Sequence, residues 1–131
     1  MKVGAFGSSL VFRVSDRKVL TFQNMKREIT GQWGSMERIG KKPLPVFQGP
    51  ALQTMTLEIV LDASLGVKPR AMLKKIEKLV ERGTAEILVI GKKRVGENAW
   101  VIKKSSESWA RVLQRGELLR AKVGLTLQEY I

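Results

Sequence analysis

Cysteine and histidine are both absent from this chain of 131 residues. Without cysteine there are neither disulfides nor thiolate metal ligands, so packing alone must hold the fold together. Without histidine the chain lacks the side chain that most often serves as a general base near neutral pH or as a zinc ligand. The two absences exclude most hydrolase and metalloenzyme designs, and the expectation is a protein that is not an enzyme. Acidic residues are also scarce, with 12 Asp plus Glu against 24 Lys plus Arg and a net charge of +12. Such an excess biases a protein toward polyanions or acidic partners without choosing between them.

Aspartate is represented only by Asp16, in an expected turn, and Asp62, at a strand end. Neither belongs to a DxD or DxDxDG pattern, and turn or helix-approach duty is the ordinary reading of both. Ser8-Ser9 and Ser105-Ser106 lack a GxSxG elbow or an SxxK motif. The glycines of Gly4–Gly7 and Gly91–Gly96 match no phosphate-binding loop. No metal and no cofactor are therefore expected. No apolar run approaches the roughly 18 residues that a membrane-crossing helix requires. The residues from Met1 to Ser9 carry no apolar core of a secretory signal, so assembly in the cytoplasm is the expectation.

What is present is alternation. Leu10, Phe12 and Val14, then Lys18 to Phe22, predict a β-hairpin around Ser15-Asp16-Arg17. Ile29, Gly31 and Trp33 share a face, and the following stretch, punctuated by Gly40, Pro43, Pro45, Gly49 and Pro50, reads as a long loop. Met55, Leu57, Ile59 and Leu61 form one face of a strand. Pro69 and Gly83 bracket an amphipathic helix. Its stripe of Met72, Leu73, Ile76, Leu79 and Val80 should lie on a sheet, with Lys74, Lys75, Lys78, Glu81 and Arg82 outward. Ile87–Ile90 reads as a short buried strand, Ala99–Lys103 and Ser108–Leu113 as extended segments, and Gln114–Glu117 as a turn. Leu119, Ala121, Val123, Leu125 and Leu127 then mark the inward face of a last strand. Strands, one helix, then strands again predict an α+β domain with a mainly antiparallel sheet, sandwich or partial barrel.

Two segments stand out as candidate contact surfaces. Trp33, Met36, Ile39, Leu44, Val46 and Phe47 give a presumed loop more apolar material than water favours, which points to a subunit interface. Lys92, Lys93 and Arg94 form a compact basic turn suited to electrostatic contact. With Trp100 and Trp109 nearby in sequence, that turn keeps a nucleic-acid-binding module open as a second reading. Tryptophans inside alternating strands are more often core than stacking platforms.

GAFGSSLVFRVS and VLTFQNM near the start, GPAL at Gly49–Leu52, LDASLGVKPR at Leu61–Arg70, VGENAWVI at Val95–Ile102 and a closing LTLQEYI occur in order. Together they resemble the phage tail protein U family of contractile-tailed phages and related particles. That resemblance implies one tail-tube-like domain over residues 1–131, a β-sandwich or partial barrel with one flanking helix. It implies a hexameric ring joining tail tube to baseplate hub and initiating the tube. Implied partners are further copies of the chain, the tail tube protein, the hub and a small peptidoglycan-binding (LysM-type) tail protein, with DNA passing transiently through the lumen and no membrane. A terminator or completion ring at the other end is the alternative.

Overall fold

A computed structural model describes residues 2–7, 10–14, 19–20, 22–113 and 115–131. The strands preceding the helix are β1 (Lys2–Phe6), β2 (Leu10–Val14), β3 (Val19–Leu20), β4 (Phe22–Glu28), β5 (Gly31–Met36), β6 (Leu44–Pro50) and β7 (Thr54–Asp62). After a 3-10 turn at Ala63–Leu65 comes helix α1 (Pro69–Arg82). The chain ends with β8 (Ala85–Glu86), β9 (Leu88–Ile90), β10 (Lys93–Arg94), β11 (Ala99–Val112) and β12 (Leu118–Tyr130).

A first sheet has the order β10-β9-β1-β2-β3 and a second the order β4-β7-β12-β11-β8, with antiparallel pairing throughout. The chain passes from one sheet to the other at both margins. Only Thr21 separates β3 from β4, and only Ile87 separates β8 from β9. Strands that switch sheets in this way make the corners of orthogonal sandwiches and barrels. The result is an α+β fold with a partial barrel, as the alternation predicts.

Side chains of one parity fill the interior. Met55, Leu57, Ile59 and Leu61 of β7 and Ala121, Val123, Leu125 and Leu127 of β12 are all buried, together with Phe6, Leu10 and Phe12 of the first sheet. Phe12 meets Phe22 edge-on at 5.1 Å, tying the sheets together where the chain crosses. Helix α1 begins with Pro69, whose missing N–H costs nothing at that position. It stops at Gly83, where φ of 60° lets the backbone N–H reach the Leu79 and Val80 carbonyls. Leu73, Ile76 and Leu79 are buried and Met72 and Val80 half-buried, so the expected stripe is the one that packs on β11, β12 and β7.

Several expectations need correction. The segment read as a long loop contains β6, paired with β5 from Gly31–Pro50 to Met36–Leu44. Its prolines are tolerated because a two-stranded ribbon leaves each strand one unpaired side, where a missing N–H breaks no ladder bond. Ala99–Lys103 and Ser108–Leu113, expected as two segments, form one strand, β11, which is continuous through Ser105-Ser106 and ends at Val112. On β12 the inward series starts at Leu118, with Leu119 only half-buried, because the register shifts between Arg111 and Val112. Strand β1 was not anticipated. Its centre, Gly4, lets β9 approach so closely that a Cβ there would lie 2.5 Å from the Val89 carbonyl oxygen. The turn expected at Ser15–Arg17 lies outside the described residues.

Candidate assembly surfaces

The β5–β6 ribbon is an arm. It is inserted between β4 and β7, and among the described residues it packs extensively against no element beyond its own two strands. Trp33 and Phe47 are directly paired, with ring centroids 5.0 Å apart, yet remain 63% and 55% exposed. Gly34 faces Val46 and Met36 faces Leu44 across the ribbon, so this second set lies on the opposite face. Ile39 is fully exposed near the tip, where Gly40 adopts a φ of 66°. All six apolar residues singled out from sequence are therefore on this arm, exposed, and distributed over both faces and the tip. Ile29 and Leu52, outside the interface set singled out from sequence, expose further apolar surface at its base.

A polar network fixes the arm's root. The Thr30 carbonyl accepts from the Ala51 N–H at 2.9 Å. Arg27 donates from Nε and Nη2 to Gln53 Oε1 at 3.0 and 2.6 Å. Gln53 in turn donates its N–H to Glu129 Oε1, while Asn98 Nδ2 donates to Glu129 Oε2 at 2.7 Å. The Asn98 bond first, then the Gln53 bond, hold the Glu129 carboxyl below its ordinary pKa by favouring the charged form.

The second sheet has two open edges. Strand β8 covers β11 only at Trp100 and Val101, so the free side of β11 from Ile102 to Val112 has no partner among the described residues. At the other margin, among the described residues, β4 pairs only with β7. A bulge there places Asn24 at φ 53°, from which its amide donates to Glu58 Oε2 at 2.8 Å. That bond, ahead of the Lys122 contact, lowers the Glu58 pKa. Bulges of this kind twist an edge and restrict which strand can be added to it. The outward face between these edges is polar, with Thr56, Glu58, Lys104, Ser106, Lys122 and Thr126 around Gly124. Neither edge was visible from residue types, because edge status depends on which strands pair.

The basic turn is where β9 folds into β10. Gly91 and Lys92 both have positive φ, 62° and 68°, the signature of a tight two-residue hairpin turn. Lys92, Lys93 and Arg94 are exposed, and Arg94 Nη2 donates to the Glu97 carbonyl at 2.8 Å. The two tryptophans diverge. Trp100 is 1% exposed and donates its indole N–H to the Val95 carbonyl, which places it in the core as expected. Trp109 is 46% exposed, contrary to the ordinary expectation for strands, and carries the Arg70 guanidinium 5.3 Å from its ring. The structure thus brings neither ring to the basic turn as an open stacking platform. Among the described residues no cluster of acidic groups could hold a metal ion, and no helix is long and apolar enough to cross a membrane.

Open sheet edges, a bare apolar arm and a strongly cationic surface define a structural building block whose surfaces await partners. The sequence matches the family described as Phage P2 GpU over residues 9–131, and the chain belongs to that family. It is a structural protein of the phage tail. No curated protein gives a significant match.

Proposed function

We propose that this chain is the subunit of a hexameric ring in a contractile phage or phage-like tail, joining the tail tube to the baseplate hub and initiating the tube. The observation that carries this reading is the second sheet. Its strands β4, β7, β12 and β11 are antiparallel, and both outer strands are open at overlapping levels. An even number of antiparallel strands makes β11 of one copy run opposite to β4 of the next, so rotation-related copies can pair edge to edge. Closing such a head-to-tail contact into a ring covers the open edges of this sheet where they overlap. The polar outward face of the sheet then lines the lumen, where it meets the tube's contents, including DNA in transit.

The arm is the natural contact to an adjacent ring. A lone two-stranded ribbon is marginally stable in water, and one apolar on both faces is stabilised by a partner that encloses it. The Lys92–Arg94 turn supplies an electrostatic contact with an acidic neighbour, screened by salt. Tube protein, hub and a small peptidoglycan-binding tail protein are the partners this position entails.

The test is electron cryomicroscopy of particles assembled with the wild-type chain or with residues 31–49 replaced by a short glycine-serine linker. The expected result is six copies at the hub end of the tube, and a soluble, folded variant absent from particles. Density at the opposite end of the tube would make the chain a terminator or completion ring. Normal incorporation of the arm-less chain would sink the arm's role.

A further inference from the structure

Charges on the outward face of the second sheet are matched at one level and left unmatched at another. Lys122 and Glu58 form an ion pair of 3.2 Å. One step along, Arg111 of β11 lies directly opposite Arg120 of β12, and Arg120 lies directly opposite Asp62 of β7. Two like charges in cross-strand register destabilise a sheet unless something of opposite sign joins them. Asp62 attracts both arginines at longer range but joins them by no direct contact, so one carboxylate faces two cations. Its Oδ1 accepts from the Ser64 N–H at 2.9 Å and from Ser64 Oγ at 2.7 Å, and among the described residues neither arginine has a carboxylate within ion-pair distance. Both arginines are exposed.

We propose that the Arg111–Arg120 pair is a docking point for acidic side chains of a partner protein, at the end of the barrel opposite the arm. Position follows from register. The arm leaves the sheet where Glu28 faces Thr54, whereas the arginines lie level with Asp62 at the far end of the same strand. At the usual rise per residue the two ends are about 25 Å apart. Arg111 and Arg120, with Asp62, Ala63, Ser64 and Leu119, line a pocket of about 190 Å³, where two cations against one carboxylate leave a net positive site for one further carboxylate. Arginine's planar fork binds carboxylates through paired, charge-assisted hydrogen bonds. A nucleic-acid backbone fits this face less well. Glu58 and Asp62 interrupt the cations, while a phosphate chain needs a continuous basic track, and the nearby Trp109 is already covered by Arg70.

The proposal extends the ring reading by giving the ring's second end a partner chemistry, but its binding test requires no ring. The full chain is titrated against a fluorescein-labelled oligoglutamate peptide and against a single-stranded oligonucleotide of equal charge. Parent, Arg111→Gln/Arg120→Gln and Lys74→Gln/Lys78→Gln on the exposed face of α1 are compared, the two variants losing the same net charge. Loss of the arginine pair should weaken oligoglutamate binding about tenfold, the scale of one lost charge-assisted hydrogen bond. The lysine variant should stay within about twofold. The arginine variant should melt no lower than the parent, because a like-charge contact has been removed. Equal weakening in both variants, a lower melting temperature in the arginine variant, or loss of oligonucleotide binding alone would each overturn the proposal. Absence of the chain from purified tails would instead refute the ring reading, leaving the peptide result intact.

Discussion

The second sheet and the arm are both antiparallel β-structure with apolar residues at alternate positions, and they have opposite fates. In β7, Met55, Leu57, Ile59 and Leu61 are covered by the first sheet and by α1, and all are buried. In the arm, Trp33, Met36, Leu44, Val46 and Phe47 are arranged just as regularly and stay in water. The difference lies in what covers each face, not in local conformation. Surface removed from water within one chain stabilises that chain, whereas apolar surface left bare becomes free energy available for association.

The comparison can be broken or sharpened by substitution. Leu61→Ala should have the largest effect on folding, about 2–5 kcal/mol in urea denaturation, because the side chain is fully buried and leaves a cavity. A loss below about 1 kcal/mol would show that the second sheet is not the centre of stability. Next come two glycines. Gly4→Ala forces a Cβ against the Val89 carbonyl and should cost about 1–3 kcal/mol. Gly124→Ala meets nothing closer than the Ser106 carbonyl oxygen at 4.0 Å and should be neutral or stabilise by up to about 1 kcal/mol. Thermal melts of both variants decide whether close approach of β1 and β9, rather than strand propensity, governs these sites.

On the arm, Trp33→Ser with Phe47→Ser should change stability by less than about 0.5 kcal/mol despite removing two aromatic rings, as expected at exposed positions. The same variant should be lost from assembled particles. A melt lowered as far as that of Leu61→Ala would mean that the arm belongs to the core of the free subunit. The smallest effect is expected from acid titration. Glu129, Glu58 and Asp62 all have pKa values lowered in the fold, chiefly by hydrogen bonds from Asn98, Asn24 and Ser64 respectively. Each therefore contributes stability that is present above its unfolded pKa, near 4.5 for Glu and 3.8 for Asp. That stability is lost as pH falls through the lower folded value. Glu129→Gln should flatten this acid limb slightly in pH-dependent melts, and an unchanged slope would remove Glu129 from the root of the arm.

Particular elements show how much was legible beforehand. The helix from Pro69 to Gly83 and the buried faces of β7 and β12 follow from periodicity, since burial of one face enforces the period. The arm's apolar residues were visible as a group, but its strands were hidden by prolines that argue against a sheet interior and are harmless in a two-stranded ribbon. The Arg111–Arg120 pair was within reach. A turn centred between Arg115 and Gly116 sets residue 111 opposite residue 120, although the shifts on either side of that pair break any simple count.

The amino-acid sequence alone determined the absence of thiol and imidazole chemistry, the cationic surface, the helix and the inward faces of β7 and β12. These depend on residue identity or on neighbours close along the chain. Tertiary structure alone decided that β3–β4 and β8–β9 cross between sheets, that β11 and β4 present open edges, and that one tryptophan is buried and the other carries an arginine. Those features depend on which distant segments meet. Alternation in a strand specifies that one face prefers burial, and only the folded chain supplies, or withholds, the surface that covers it.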